Sequence, residues 1–110
     1  QSGAAVATMT QPRRAVENAD IVYTDVWTSM GQEAESEVRR RAFASYQIDS
    51  ALLSRASKGA LFMHPLPAHH GEEIARGLLD HPQSVVFDQA ENRLHIQKAI
   101  LVRALGGDPV

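Results

Sequence analysis

Short apolar runs alternate along the chain with segments whose apolar residues recur at helical spacing. The apolar runs predict four strands, at residues 4–9, 21–27, 60–63 and 84–87. The remaining segments predict five helices, at about 12–18, 33–44, 48–59, 71–79 and 93–105. This alternation predicts an α/β fold in which a parallel sheet of about four strands is flanked by helices, as in a Rossmann-like three-layer domain.

Local signals mark several helix ends. Thr10 is expected to cap the first helix, with Pro12 in its first turn. Asp49 is expected to cap the third helix. The last predicted helix, at about 93–105, is apolar on most of its faces, so we expect it to pack against a part of the protein that lies outside this chain.

The strand predicted at Ile21–Trp27 is apolar enough to be buried on both faces, as parallel strands are. Asp25 stands inside it, where a buried carboxylate needs a cation or several N–H donors. Two interpretations remain equally open: an anchor for a substrate ammonium group, or an acid paired within the protein. In the next loop, Ser29, Met30 and Gly31 could present N–H groups to a carboxylate, although a plain helix-capping loop is the more frequent case.

Polar loops follow three of the predicted strands, and parallel strands bring such loops to one edge of a sheet. His64 could donate a hydrogen bond to a carbonyl oxygen on which charge develops, or it could be a structural histidine. Arg93 could direct its guanidinium at an anion or a carbonyl, or it could pair with Glu91 or Asp88. The residues alone therefore predict a ligand site made of Asp25, His64 and Arg93.

A metal site is a weaker alternative at the second of these loops. His64, His69 and His70 lie close in sequence to Glu72 and Glu73, but their spacing matches no recognised ligand motif. We therefore expect no metal, and His69 and His70 are interpreted as exposed loop residues.

Composition narrows the class of protein. With 44% hydrophobic and 22% charged residues among 110, the chain has the composition of a soluble globular domain or of part of one. The net charge of -2 and the absence of a basic patch with aromatics argue against nucleic-acid binding. There is no cysteine for a disulfide, no apolar run near the roughly 20 residues that span a bilayer, and no signal-peptide pattern. We expect a cytoplasmic protein with no membrane partner.

Three segments together resemble the ornithine-binding half of the ornithine carbamoyltransferase family. They are Asp25–Glu33, His64–His69 with Gly71–Ile74, and Val85–His95, and they occur in the family's order. The aspartate member of the wider family shares the His-Pro-Leu-Pro form of the second segment but not the first loop. The resemblance therefore favours ornithine as the amino-acid substrate.

The resemblance implies transfer of a carbamoyl group from carbamoyl phosphate to the side-chain amine of L-ornithine, giving L-citrulline and phosphate. It implies neither a metal nor an organic cofactor. By the same resemblance, Asp25 holds the α-ammonium group of ornithine. Ser29 and Met30 contact the amino-acid end of the substrate from a mobile loop, whose closure excludes water.

The second and third segments carry the catalytic residues that the resemblance implies. Leu66 would offer its backbone carbonyl to the carbamoyl NH2, and the Leu66–Pro67 bond is expected to be cis. Arg93 and His64 would stabilise the oxygen charge of the tetrahedral state. Pro65 departs from the family, because ornithine enzymes usually carry a cysteine there, next to the ornithine amine. The acceptor could therefore be a related diamine or an acylated ornithine.

The family's phosphate-binding Ser-Thr-Arg-Thr loop has no counterpart in these residues. We therefore expect residues 1–110 to be a partial, C-terminal piece of the ornithine-binding domain that is inactive alone. The helix at about 93–105 would pack on the carbamoyl-phosphate domain, and the full-length protein would be a homotrimer. Two other classes remain as alternatives, a non-catalytic α/β binding module and a metal-dependent hydrolase that uses His64, His69, His70 and Glu73.

Overall fold

A computed structural model describes residues 3–29, 31 and 33–107. Its helices and strands are, in chain order, α1 (Pro12–Ala15), β1 (Ile21–Tyr23), α2 (Ser36–Phe43), α3 (Ser50–Leu53), β2 (Leu61–Met63) and α4 (Val86–Ala104). Short 3-10 helices cover Glu33–Glu35, Ala44–Tyr46 and Leu78–Asp80. The predicted α/β class is confirmed, and no helix in these ranges is both long and apolar enough to cross a membrane.

The two strands pair in parallel, with Tyr23 of β1 opposite Met63 of β2. A third segment runs along the other side of β2. The N–H of Phe62 donates to the carbonyl of Gln83 at 2.8 Å, and the N–H of Val85 donates to the carbonyl of Phe62 at 3.0 Å. β2 is therefore hydrogen-bonded on both of its sides and lies at the centre of the described sheet.

The prediction of four strands is wrong for the described residues, which contain two. Residues 4–9 form no strand, and all six are exposed. In the predicted strand 84–87, only Ser84 forms a parallel bridge with Phe62, and α4 begins at Val86. Short apolar runs fit a strand and a buried helix start equally well, which explains the second error.

β1 is also shorter and more open than predicted. Val22 is buried, whereas the side chains of Ile21 and Tyr23 are 56% and 55% exposed. The prediction of a strand buried on both faces is therefore wrong for this chain, because the described elements cover only the side of the sheet that Val22 faces.

The core lies around β2 and draws on most parts of the chain. Phe62, Leu53 and Ile74 are fully buried at its centre. The cluster comprises Val16, Val22, Ile48, Leu52, Leu53, Phe62, Ile74, Leu78 and Val86. Only the first residue of α4 belongs to it, and the rest of that helix extends beyond the core with its apolar side chains exposed.

The helix signals were correct in part. Asp49 caps α3 as predicted, since its carboxylate accepts the N–H of Leu52 at 2.7 Å, but the helix ends early, at Leu53. α1 is preceded by Gln11 rather than by Thr10 as its cap, and no side chain caps it.

The predicted helix at 71–79 is wrong. Ile48 donates its N–H to the carbonyl of Glu73 at 2.9 Å and accepts the N–H of Ala75 at 2.8 Å, so these backbone groups form a parallel bridge instead of helical bonds. Gly71 adopts a φ of 91°, which is outside the helical region. The bridge fixes the segment after His70 against the start of α3.

Phe62→Ala should lower the free energy of unfolding by about 3–5 kcal/mol, because it removes the fully buried ring at the centre of the core. Urea denaturation measures this loss. The matched control is Leu61→Ala on the same strand, whose side chain is 41% exposed. It should cost about 1 kcal/mol or less, and equal losses for the two variants would contradict this placement of the core.

Candidate functional site

The carboxyl ends of β1 and β2 lie side by side. Beyond the pair Tyr23 and Met63, the N–H of Thr24 donates to the carbonyl of Met63 at 3.2 Å. Asp25 is the next residue after Thr24, and His64 is the next after Met63. The backbone pairing therefore brings two of the predicted site residues to one edge of the sheet.

The start of α4 is tied to the same edge by a side chain. Gln89 accepts the backbone N–H of His64 through its Oε1 at 3.0 Å. Arg93 follows Gln89 by one helical turn, so the two residues share a face of α4. Arg93 is exposed and forms no ion pair within the described ranges, whereas Glu91 contacts His95 at 3.4 Å. Arg93 is therefore on the same face of α4 as the side chain that binds the end of β2.

Asp25 is exposed, so the expectation of a buried carboxylate inside a strand is wrong. β1 ends at Tyr23, and Asp25 already belongs to the loop that follows. One carboxylate oxygen accepts the N–H of Val26 at 2.7 Å. The carboxylate is therefore oriented by its own loop and accessible to a cationic ligand.

The loop after Asp25 is anchored on α2. The guanidinium of Arg39 donates to the carbonyl of Trp27 at 3.4 Å, and the ring of Trp27 lies 6.2 Å from that of Phe43. Ser29 is exposed beyond this anchor. Met30, the other predicted ligand of the loop, lies outside the described residues.

His64 is buried, and both of its ring nitrogens have partners. Nε2 lies 3.1 Å from Oε1 of Glu73, and Nδ1 accepts the backbone N–H of Leu66 at 2.9 Å. These are the contacts of a structural histidine, the alternative to a direct donor. In this arrangement neither ring nitrogen is free to face a substrate.

Leu66 has a left-handed backbone with a φ of 55°, and the Leu66–Pro67 bond is cis, as predicted. Pro65, between His64 and Leu66, is half-buried. The segment beyond the prolines is held by Glu73, whose Oε1 also accepts the N–H of His69 at 2.6 Å. One buried carboxylate oxygen thus contacts His64, before the two prolines, and His69, after them.

Three side chains of this region have donor atoms within 4.8 Å of one another: His69, Glu72 and Glu73. The alternative of a metal site also included His64 and His70, but these two residues do not belong to this group of possible ligands. Glu72 is already bound by Arg40, which lies 2.7 Å away and also contacts Glu37. The acceptor groups of Glu72 and Glu37 raise the pKa of Arg40, and a second cation at Glu72 would be repelled by this guanidinium.

Two residues of the site were not predicted from the sequence in their observed roles. Gln89 carried no signal, because amides are common on helix surfaces. Glu73 was considered only as a metal ligand, since it lies among charged residues in a segment with helical spacing. Only the fold shows that its side chain is completely buried.

Comparisons with known proteins agree with one another. The chain matches the family model described as aspartate/ornithine carbamoyltransferase, Asp/Orn binding domain, over residues 1–104. It is 66% identical over 96 residues to the ornithine carbamoyltransferase of Syntrophus aciditrophicus, covering 87% of this chain and 32% of that protein. The structure of ornithine carbamoyltransferase from Pyrococcus furiosus is similar with a TM-score of 0.75 and 55% identity, over 84% of this chain and 29% of that one. The chain thus spans about a third of the length of these relatives.

Gln89→Leu should destabilise the protein by about 1–3 kcal/mol, because the N–H of His64 loses its only described acceptor in a largely buried setting. Gln97→Leu, an exposed position on the same helix, is the matched control and should change stability by less than about 0.5 kcal/mol. Urea denaturation of both variants measures the difference. If they unfold at the same urea concentration, Gln89 does not tie α4 to β2.

Proposed function

Because this chain belongs to the aspartate/ornithine carbamoyltransferase family, matching its amino-acid-binding domain, we propose that it is the ornithine-binding part of an ornithine carbamoyltransferase. The full-length protein transfers the carbamoyl group of carbamoyl phosphate to L-ornithine, giving L-citrulline and phosphate. One observation from the structure supports the proposal independently of the relatives' names. The end of β1 with Asp25 and the end of β2 with the His64 loop are hydrogen-bonded side by side, with α4 tied to the second.

The amino-acid end of the substrate is held by the first loop. The exposed carboxylate of Asp25 binds the α-ammonium group, an opposite charge that its loop already orients. Ser29 and Met30 contact the same end of ornithine as the loop closes and excludes water. Pro65 lies beside the side-chain amine, which the closed loop aligns with the carbamoyl carbon.

In the reaction, the side-chain amine attacks the carbamoyl carbon. A C–N bond forms, the bond from this carbon to the phosphate oxygen breaks, and the amine releases a proton. The Leu66 carbonyl accepts hydrogen bonds from the carbamoyl NH2, and the guanidinium of Arg93 stabilises the charge on the carbamoyl oxygen. His64 was expected to share that second role, but its bonds to Glu73 and Leu66 support an action through the Leu66 backbone instead.

The rest of the full-length protein supplies the carbamoyl-phosphate domain, which carries the phosphate-binding loop. Its contact surface on this chain is α4, whose apolar side chains are left exposed by the core: Phe87, Leu94, Ile96, Ile100, Leu101 and Val102. The two strands and the segment beside β2 belong to a larger, Rossmann-like sheet. By resemblance to the family, the full-length protein is a cytoplasmic homotrimer.

A related acceptor is the second candidate, and Pro65 is the observation that favours it. Proline brings a rigid ring and no thiol to the position between His64 and Leu66. An acylated ornithine or another diamine could be accommodated there in place of ornithine.

Asp25→Ala in the full-length enzyme should raise the KM for ornithine by about 10-fold or more, because a charge-assisted contact to the ammonium group is lost. The KM for carbamoyl phosphate should change far less. Steady-state citrulline formation measures both constants. The control is Asp20→Ala, another exposed aspartate that precedes β1, and equal rises in both KM values for Asp25→Ala would refute the anchor.

Pro65→Cys tests the choice of acceptor. If ornithine is the acceptor, the variant should keep or increase kcat/KM for ornithine, because it restores the residue that the family usually carries. Rates with ornithine, N-acetylornithine and a shorter diamine are compared for the wild type and the variant. A wild type that uses N-acetylornithine better than ornithine would replace the first candidate by the second.

A further inference from the structure

We propose that Glu73 is a positioning residue for carbamoyl transfer: it fixes the tautomer of His64 that holds the Leu66 carbonyl in place. The proposal rests on the proposed function, in which that carbonyl binds the carbamoyl NH2. Glu73 touches neither substrate in this scheme and acts through His64 and the loop backbone.

The pair is completely enclosed. The residue exposures are 0% for Glu73 and 1% for His64, and Nε2 lies 3.1 Å from Oε1. A carboxylate is unfavourable in such a setting unless donors satisfy it. Here Oε1 receives the imidazole and, at 2.6 Å, the N–H of His69. Two donors converge on one atom, so the position of Oε1 is defined from both ends of the loop.

The hydrogen bonds permit only one protonation state of the imidazole. The N–H of Leu66 can only donate, so Nδ1 of His64 must carry a lone pair. The remaining hydrogen is then on Nε2, where the carboxylate of Glu73 accepts it. The other neutral tautomer and the imidazolium both carry a hydrogen on Nδ1, and either would break the bond to Leu66.

Leu66 is the residue that needs such support. Its φ of 55° lies in a region that residues with a branched or bulky side chain seldom adopt, so the surrounding contacts must hold it there. The contact on its N–H comes from His64, and the chain three residues later is held by the bond of His69 to Glu73. Glu73 therefore anchors both ends of the segment that presents the Leu66 carbonyl.

The second carboxylate oxygen of Glu73 suggests a substitution that tests whether this side chain acts as a hydrogen-bond acceptor. Oε2 is buried with no hydrogen-bond partner among the described residues, and Nδ1 of His69 lies 3.8 Å from it. In a Glu73→Gln variant, the amide oxygen can accept the same hydrogen bonds as Oε1, and the amide nitrogen takes the place of Oε2. If Glu73 acts as an acceptor, glutamine should replace it and alanine should not.

The experiment compares three variants of the full-length enzyme by steady-state citrulline formation. Glu73→Ala should lower kcat by a factor on the order of 100, the effect of a misplacement of about 1 Å, and raise the KM for carbamoyl phosphate more than that for ornithine. Glu73→Gln should recover most of the lost kcat. Glu72→Ala, an adjacent carboxylate paired with Arg40 instead, should stay within about threefold of the wild type.

A second measurement does not depend on activity or on the folding of a variant. In the wild-type enzyme labelled with 15N-histidine, the ring nitrogens of His64 should have the shifts of a neutral imidazole with its hydrogen on Nε2. Detection of the hydrogen on Nδ1 near neutral pH would overturn the proposal, as would a Glu73→Ala enzyme with unchanged kcat and KM values. If the wild type forms no citrulline, the proposed function fails, and the tautomer measurement still decides whether Glu73 fixes His64.

Discussion

The pairing of β2 on both of its sides is the constraint on which the rest of the structure depends. Its neighbour on one side is β1, and on the other the segment at 83–85 that leads into α4. Each of these three backbones leaves the sheet in the same direction, because they run parallel. The side chains that follow them are therefore delivered to a common edge by hydrogen bonds that do not depend on side-chain identity. Which ligand this edge of the sheet can bind then depends on the few residues that follow the three paired segments.

At the end of β2, the apolar core passes directly into a buried polar pair. Phe62 is part of the core, and His64, two residues later, is equally buried but bonded to Glu73. A buried pair of this kind adds little net stability, because desolvation offsets much of the attraction. Its effect is geometric, since the pair, together with Gln89, leaves the start of the proline loop few alternative positions. This is the type of local arrangement in which a left-handed Leu66 can persist.

The sequence was informative where local chemistry determines structure and misleading where distant partners do. The order of the polar loops and the Asp49 cap follow from nearby residues, and the structure contains them. The cis Leu66–Pro67 bond, which is also observed, was expected from the resemblance to a family. The segment at 71–79 has helical spacing, but its backbone pairs with Ile48, a partner more than 20 residues away that spacing cannot reveal. The burial of Glu73 was missed for the same reason. Roles for Asp25 and Arg93 came from resemblance to a family, because their residue types alone left paired and ligand-binding interpretations open.

Much of the exposed apolar surface of the described residues lies on one helix, α4. Single exposed apolar residues are normal on protein surfaces, but six large ones lie along α4: Phe87, Leu94, Ile96, Ile100, Leu101 and Val102. Val86 is the only residue of α4 that belongs to the described core. This helix of 19 residues is therefore packed at its first turn, and most of its remaining side chains are exposed. Helices of mixed polarity gain most of their stability in proteins from packing. The site edge is attached to the packed end of this helix, through Gln89. In the proposed full-length protein, a domain bound to the open part of α4 would therefore act on the position of Arg93 through this helix.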